Sequence, residues 1–323
     1  MRFMTGALKQ WRTGGLLVTQ VLINSLIRAS ELALLAVGLT MIYDVLRFPS
    51  IAHVEFGVVG AFIAWAISMA LPFGPITAIT IGAIIAMIIG GGLGVLSDRL
   101  IFSRLRDATP AILMIVSFGL GIMLRFGSQA IWGSGPRSFP LPLQRAWEFA
   151  GARLLPASAA IIIATLVMML LFYFLLHRTR LGIAMRATAD DADLAEASGV
   201  FSERVIRMVW FIGAGFAALG GIMLGIATQV QPNMGYALIV PVFTAAIVGG
   251  IGNVYGAVLG ALIIGLAENI GLSINWAPLF QMLGLTDAQF MAIPVGYKQA
   301  IPFALLIFVL LFRPQGLLAR KST

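Results

Sequence analysis

The 323-residue chain contains no cysteine and only two histidines. Disulfides and thiolate metal sites are therefore excluded, and His53 and His177 lie far apart without metal-ligand spacing around either. Charge is scarce as well, at 11% of residues, where a soluble domain carries about a quarter. A chain that is 60% hydrophobic and poor in charge points to a bilayer as its solvent. Three enzymatic motifs are absent: Gly-x-x-x-x-Gly-Lys-Ser/Thr, which cradles nucleotide phosphates, His-Glu-x-x-His, and Gly-x-Ser-x-Gly. Only Lys321 is followed by Ser or Thr, and Arg320 precedes it where that loop needs glycine. The chain thus reads as a conduit or a subunit, with no catalytic residue and no metal site. The N-terminal stretch lacks a small-residue cleavage site after a short apolar core, so no removable signal peptide is expected.

What is present is apolar runs of about 20 residues, the length needed to cross roughly 30 Å of hydrocarbon as helix. They fall near 20–44, 51–70, 76–97, 110–131, 157–176, 205–229, 237–249, 254–271 and 299–312. The expected fold is all-α, a polytopic helical bundle of eight to ten transmembrane segments in a single domain, 1–323. Some runs are short enough to be broken or re-entrant. The net charge of +8 does not point to nucleic acid, because the arginines sit at the ends of apolar runs and form no basic face. The partner surface they imply is membrane lipid.

By the positive-inside rule, the charged segments 98–107 and 177–207 and the tail 313–323 are cytoplasmic. Parity then puts the N-terminus outside. Arg2, Lys9 and Arg12 argue the other way and fit if 14–44 contains two membrane segments. Five of the thirteen acidic residues fall between Asp190 and Glu203. Residues 188–198 read as one short exposed helix, with aspartates toward its N-terminal end and Gly199 as its stop.

Small residues recur every four positions at Gly213, Ala217, Gly221 and Gly225, one helix face on which another backbone can approach closely. Gly252, Gly256 and Gly260 form a second series with the same expected packing role.

Ionisable residues inside apolar runs are candidates for a substrate pathway or gate, because charge near a membrane centre is expensive. They are His53 and Glu55, placed by Pro49 in the first turns of a helix, and Glu268 with Asn269 beside it. Three readings of His53 and Glu55 stand open: interhelical glue near the cytoplasmic face, a pathway or gate, and a proton relay. Glu268 either lines a cavity or caps a helix pair. Arg28 and Glu31 share a helix face and neutralise each other, while Arg125 snorkels outward.

Four blocks resemble one family: GLTMIYDVLRFPSIAHVEF (Gly38–Phe56), RTRLGIAMRATADDADLAEASGV (Arg178–Val200), FTAAIVGGIGNVYGAVLGALIIGLAEN (Phe243–Asn269) and FRPQGLLA (Phe312–Ala319). In this order they resemble the permease subunits of branched-chain amino-acid ABC importers, of the LivH type. The resemblance departs at Val54 and Asp44, where the family usually has glycine. It implies a transport subunit of the bacterial inner membrane that is not itself an enzyme. It further implies a second related permease, two cytoplasmic ATPases that carry ATP and Mg, and a periplasmic solute-binding protein. The solute is a branched-chain amino acid, with urea or short amides as the alternative. A secondary transporter driven by ions or protons is the rival reading from the residues themselves. The resemblance also assigns ATPase coupling to Ala189, Asp190, Asp191, Ala192, Asp193, Leu194, Ala195, Glu196, Ala197, Ser198 and Gly199. Ala192, Ala195 and Ala197 are then the small residues that admit the helix to a groove.

Overall fold

A computed structural model describes residues 2–149, 151–282 and 293–318. Its long helices are α1 (Arg2–Leu46), α2 (His53–Ala70), α3 (Pro75–Leu100), α4 (Pro110–Trp132) and α5 (Pro156–Arg178). Two short helices, α6 (Arg180–Asp190) and α7 (Ala192–Ala197), lead to α8 (Ser202–Ala227), α9 (Met234–Gly249) and α10 (Val254–Ser273). The last two are α11 (Ala277–Met282) and α12 (Ala300–Phe312). Seven helices are long and apolar enough to cross a membrane, and α9 and α12 are shorter apolar ones, so the described residues hold nine apolar helices. Helix α1 is unbroken through 14–44, which removes the alternative of two segments there. The side chains of Arg2, Lys9 and Arg12, and the tail residues Arg320 and Lys321, lie outside the described ones. A small departure from an all-helical chain is the hairpin β1 (Trp147–Phe149) and β2 (Ala152–Leu154), inside the loop between α4 and α5.

Proline starts α3, α4 and α5 at their first position, where a fixed φ suits the helix and no intrahelical N–H is lost. The interior is built around α8, whose small face lets α1, α2 and α3 approach. A Cβ on Gly213 would stand 2.9 Å from Ile42 of α1, and one on Gly57 of α2 would stand 2.9 Å from the Ala217 carbonyl. Gly221 lies directly on the backbone of Gly57, and Gly225 on Val230 and Phe139. From the far side, Gly91 and Gly94 of α3 meet Phe211 and Trp210 of α8, each with a Cβ position 2.7 Å from a carbonyl oxygen. In the second series, Gly256 and Gly260 pack α10 onto Gly249 and Ala245 of α9. Gly252 does not share that role. It precedes α10 in a tight turn with φ +84°, a conformation open to glycine, and its Cβ position faces the Asp44 carboxylate.

One end of the molecule gathers the charged segments. Arg106 pairs with Glu203 at 3.1 Å, and Arg47 donates to the Ala189 carbonyl at 2.6 Å. The tail lies against the α9–α10 turn, with Leu317 N–H to Val248 O at 2.8 Å. At the other end Gln20 holds Arg153, and Trp65 donates to Ser138 O. Helices α4 and α5 leave most of their apolar side chains outward, as lipid-facing helices do.

Candidate functional site

Between Leu46 and His53 the chain turns back into the bundle. Arg47 takes φ +57°, and Phe48 is buried with its ring tilted against Phe102 at 5.3 Å, with Phe102 in turn stacked on Trp210 at 4.9 Å. The Ile51 N–H then donates to Ser117 Oγ of α4 at 3.0 Å. By His53, where α2 begins, the chain has reached the level of Leu35 of α1, whose carbonyl is 3.1 Å from His53 Nε2. Leu35 is eleven residues before the end of α1, roughly 16 Å along the helix. Helix α2 therefore starts deep inside the bundle, and its first turn has no side-chain cap.

His53 and Glu55 point to different neighbours, as residues two apart on a helix must. His53 is fully buried against α1, packed on Gly38. Glu55 faces α4 and α9. Arg125 Nε donates to Glu55 Oε1 at 3.0 Å, and Arg125 Nη2 reaches the same oxygen. Glu55 Oε2 is buried without a hydrogen-bond partner and sits beside Gly235, so close that a Cβ there would be 2.7 Å away. Gly235 is in the first turn of α9, which also begins inside the bundle and also lacks a side-chain cap. The Arg125 guanidinium lies over the Tyr236 ring at 5.2 Å. Two helix N-termini, each carrying about half a positive charge, thus converge on one carboxylate and one guanidinium.

Two expectations need correction. His53 and Glu55 do not sit among the loops at the end of the bundle, because the 47–52 segment carries them inward, to the level of Leu35 of α1, before α2 starts. Arg125 does not snorkel. Its sequence signal, an arginine inside the apolar run IMLRFG, marks an intramembrane charge, but the partner 70 residues away is set by packing that no local pattern encodes.

Glu268 belongs to a second cluster. Arg28 Nε reaches Glu268 Oε2 at 2.7 Å, Arg28 Nη1 reaches Glu31 Oε2 at 3.1 Å, and Lys298 Nζ reaches Glu268 Oε2 at 3.1 Å. Two cations and two carboxylates, both buried, join α1, α10 and the turn before α12. Arg28 and Glu31 do pair, yet Arg28 also serves Glu268. Asn269 does not join them: its amide donates to the Gly265 carbonyl of its own helix at 2.9 Å.

Residues 188–198 are not one helix. The chain breaks at Asp191 (φ −156°, ψ 109°), whose carboxylate caps α7 by accepting from the Leu194 N–H at 2.9 Å. Thr188 and Ala189 end α6 inside the protein, whereas Asp190, Asp191, Ala192, Asp193, Glu196, Ala197, Ser198 and Gly199 are exposed. Gly199 (φ +86°) closes α7, with the Val200 N–H returning to Ala195 O at 3.0 Å. Ala195 is buried, so it is not one of the small residues presented outward. Among the apolar side chains that stand out along this insert are Ile183, Leu194 and Phe201.

Residues 21–310 match the family described as branched-chain amino acid transport system / permease component. The high-affinity branched-chain amino acid transport system permease protein LivH of Salmonella typhimurium is 30% identical over 94% of this chain and 96% of its own length. The corresponding BraD of Pseudomonas aeruginosa gives the same figures. A solved structure, PsaBC from Streptococcus pneumoniae in complex with Fab, aligns over 90% of this chain and 91% of the matched one at 16% identity and a TM-score of 0.43. With the match running from the first described membrane helix to the last, this multi-pass membrane chain belongs to the branched-chain amino acid transport permease family.

Proposed function

We propose that this chain is the permease subunit of an ATP-driven ABC importer in a bacterial inner membrane, passing branched-chain amino acids into the cytoplasm. The observation that carries the reading is the 30% identity, over nearly the full length of both chains, to permeases of high-affinity branched-chain amino acid transport systems. ATP and Mg are held by two partner ATPases, the solute is delivered by a periplasmic binding protein, and a second related permease completes the pathway. The end that gathers 98–107, 177–207 and the tail is cytoplasmic, which agrees with its arginines. The exposed acidic α6–α7 insert is the part offered to the ATPases, and its place between α5 and α8 suits it to move both.

Against the rival, an ion- or proton-driven secondary transporter, stands the divergence of His53 and Glu55, which share α2 but face different neighbours, Leu35 of α1 and Arg125 of α4. The test is uptake of labelled L-leucine by proteoliposomes holding the assembled complex. Uptake is expected to need ATP and to survive a protonophore. Uptake that continues without ATP and collapses with the ion gradient would give the function to the rival.

A further inference from the structure

We propose that Glu55, Arg125 and the first turn of α9 recognise the charged head of a zwitterionic amino acid. This deepens the reading above and rests on it. The ammonium goes to Glu55 Oε2, and the carboxylate goes to the outer N–H groups of Arg125 together with the uncapped amides of α9.

The argument is one of complementarity. Glu55 is 1% exposed, and one of its two oxygens has no partner, an expensive state for a buried carboxylate. Arg125 spends two of its five donors on Oε1 and keeps the others. The ion pair alone would be neutral, but the N-termini of α2 and α9 add positive potential, so the place favours one more anionic group beside its spare acceptor. An α-amino acid supplies both an ammonium and a carboxylate on adjacent atoms. Urea, a short amide or a sugar supplies neither charge. Helices interrupted inside a membrane commonly direct such N-termini at the anionic group of a solute.

The cation's side of the position is part-open, while Glu55 Oε2 is covered and is uncovered as Arg125 turns away. Arg125 has 18% of its side chain exposed, Tyr236 is 63% exposed, and α4 packs on α2 while the rest of its surface stands outward. In this structure Arg125 closes onto Glu55. Arrival of the solute exchanges one ion pair for two, leaving Oε2 satisfied and the guanidinium turned partly to the incoming carboxylate. Tyr236 keeps its ring under the cation during that turn.

The test uses the assembled complex in detergent, without the binding protein, and measures displacement of tritiated L-leucine. Wild type is expected to prefer leucine over 3-methylbutylamine and 4-methylpentanoate by about tenfold or more, the effect of one charge-assisted contact. Glu55→Gln should erase the preference over 4-methylpentanoate, and the double variant Glu55→Gln/Arg125→Gln, which leaves no unpaired charge, should erase both. A photoactivatable leucine analogue read by mass spectrometry needs no variant: attachment is expected at Val58 or within residues 234–239. Attachment only elsewhere, or unchanged selectivity in the variants, overturns the site while ATP-driven leucine uptake keeps the transport reading. A wild-type complex that neither binds nor takes up leucine overturns both.

Discussion

Arg28 and Lys298 both contact Glu268, yet they are placed differently: Arg28 bridges two buried carboxylates with 14% of its side chain exposed, while Lys298 reaches in from a side chain 32% exposed. Removing the more deeply shared cation leaves Glu31 with no partner and Glu268 with only the lysine. Breaking a buried pair costs about 3–5 kcal/mol, whereas an exposed one is worth less than about 1 kcal/mol. Arg28→Met is therefore expected to lower the yield and thermal midpoint of the purified permease sharply, and Lys298→Met only slightly. Equal loss in the two would mean that α1 and α10 are not joined through Arg28. The charges themselves were visible in the sequence as ionisable residues within apolar runs. Which charge meets which was not, because Arg28 is 240 residues from Glu268 and its nearer companion Glu31 satisfies a local pattern equally well. The same holds for Arg125, whose apparent freedom to snorkel ended once the 47–52 segment brought Glu55 to it.

At the scale of elements, the nine apolar runs emerge as helices near their expected positions because hydropathy and proline at the first turn are local properties. Breaks were less legible. Pro49 signalled an interruption before α2, but the break at Asp191 needed that aspartate to cap a new helix instead of continuing the old one. The start of α9 beside Glu55 follows from how α8 and α9 are joined across the bundle, which periodicity does not express. The small face of α8 was legible since a four-residue repeat is itself local, though its partners, Gly38, Ile42 and Gly57, were not. This face makes a sharp comparison. A Cβ on Gly221 meets the backbone of Gly57, which cannot move aside as a side chain tip can. Overpacking typically costs about 1–3 kcal/mol, and a volume-conserving swap less than about 1.5 kcal/mol. Gly221→Ala should therefore reduce recovery of folded permease more than Ile222→Leu does, although Ile222 is buried too. Comparable recovery by size-exclusion chromatography would remove the tight α2–α8 crossing from the account of stability.

For the whole molecule, the question is how motion at one end reaches the polar site within it. Arg47 donates to Ala189 O, so the last residue of α6 before its terminal aspartate is tied to the segment that carries the chain from α1 into the start of α2. Displacement of α6–α7 by an ATPase would pull on the same short stretch that holds His53 and Glu55. On the proposed function, contact with the ATPase would fall on what is exposed there, including Leu194 and Phe201 with the acidic residues around them, and not on Ala195, which packs inward. The expected outcome separates these surfaces. Leu194→Asp or Phe201→Ala should leave the permease folded, lower its association with the ATPases, and reduce leucine-dependent ATP hydrolysis and uptake together. Ala195→Trp should damage the permease itself, seen as lost yield before any partner is added. Arg47→Met is the diagnostic variant: it leaves the exposed surface intact, so ATPases should still bind and hydrolyse ATP while uptake per ATP falls. Normal uptake per ATP in Arg47→Met would break the proposed link between α6 and the start of α2, and full ATPase association in both Leu194→Asp and Phe201→Ala would move the docking surface elsewhere.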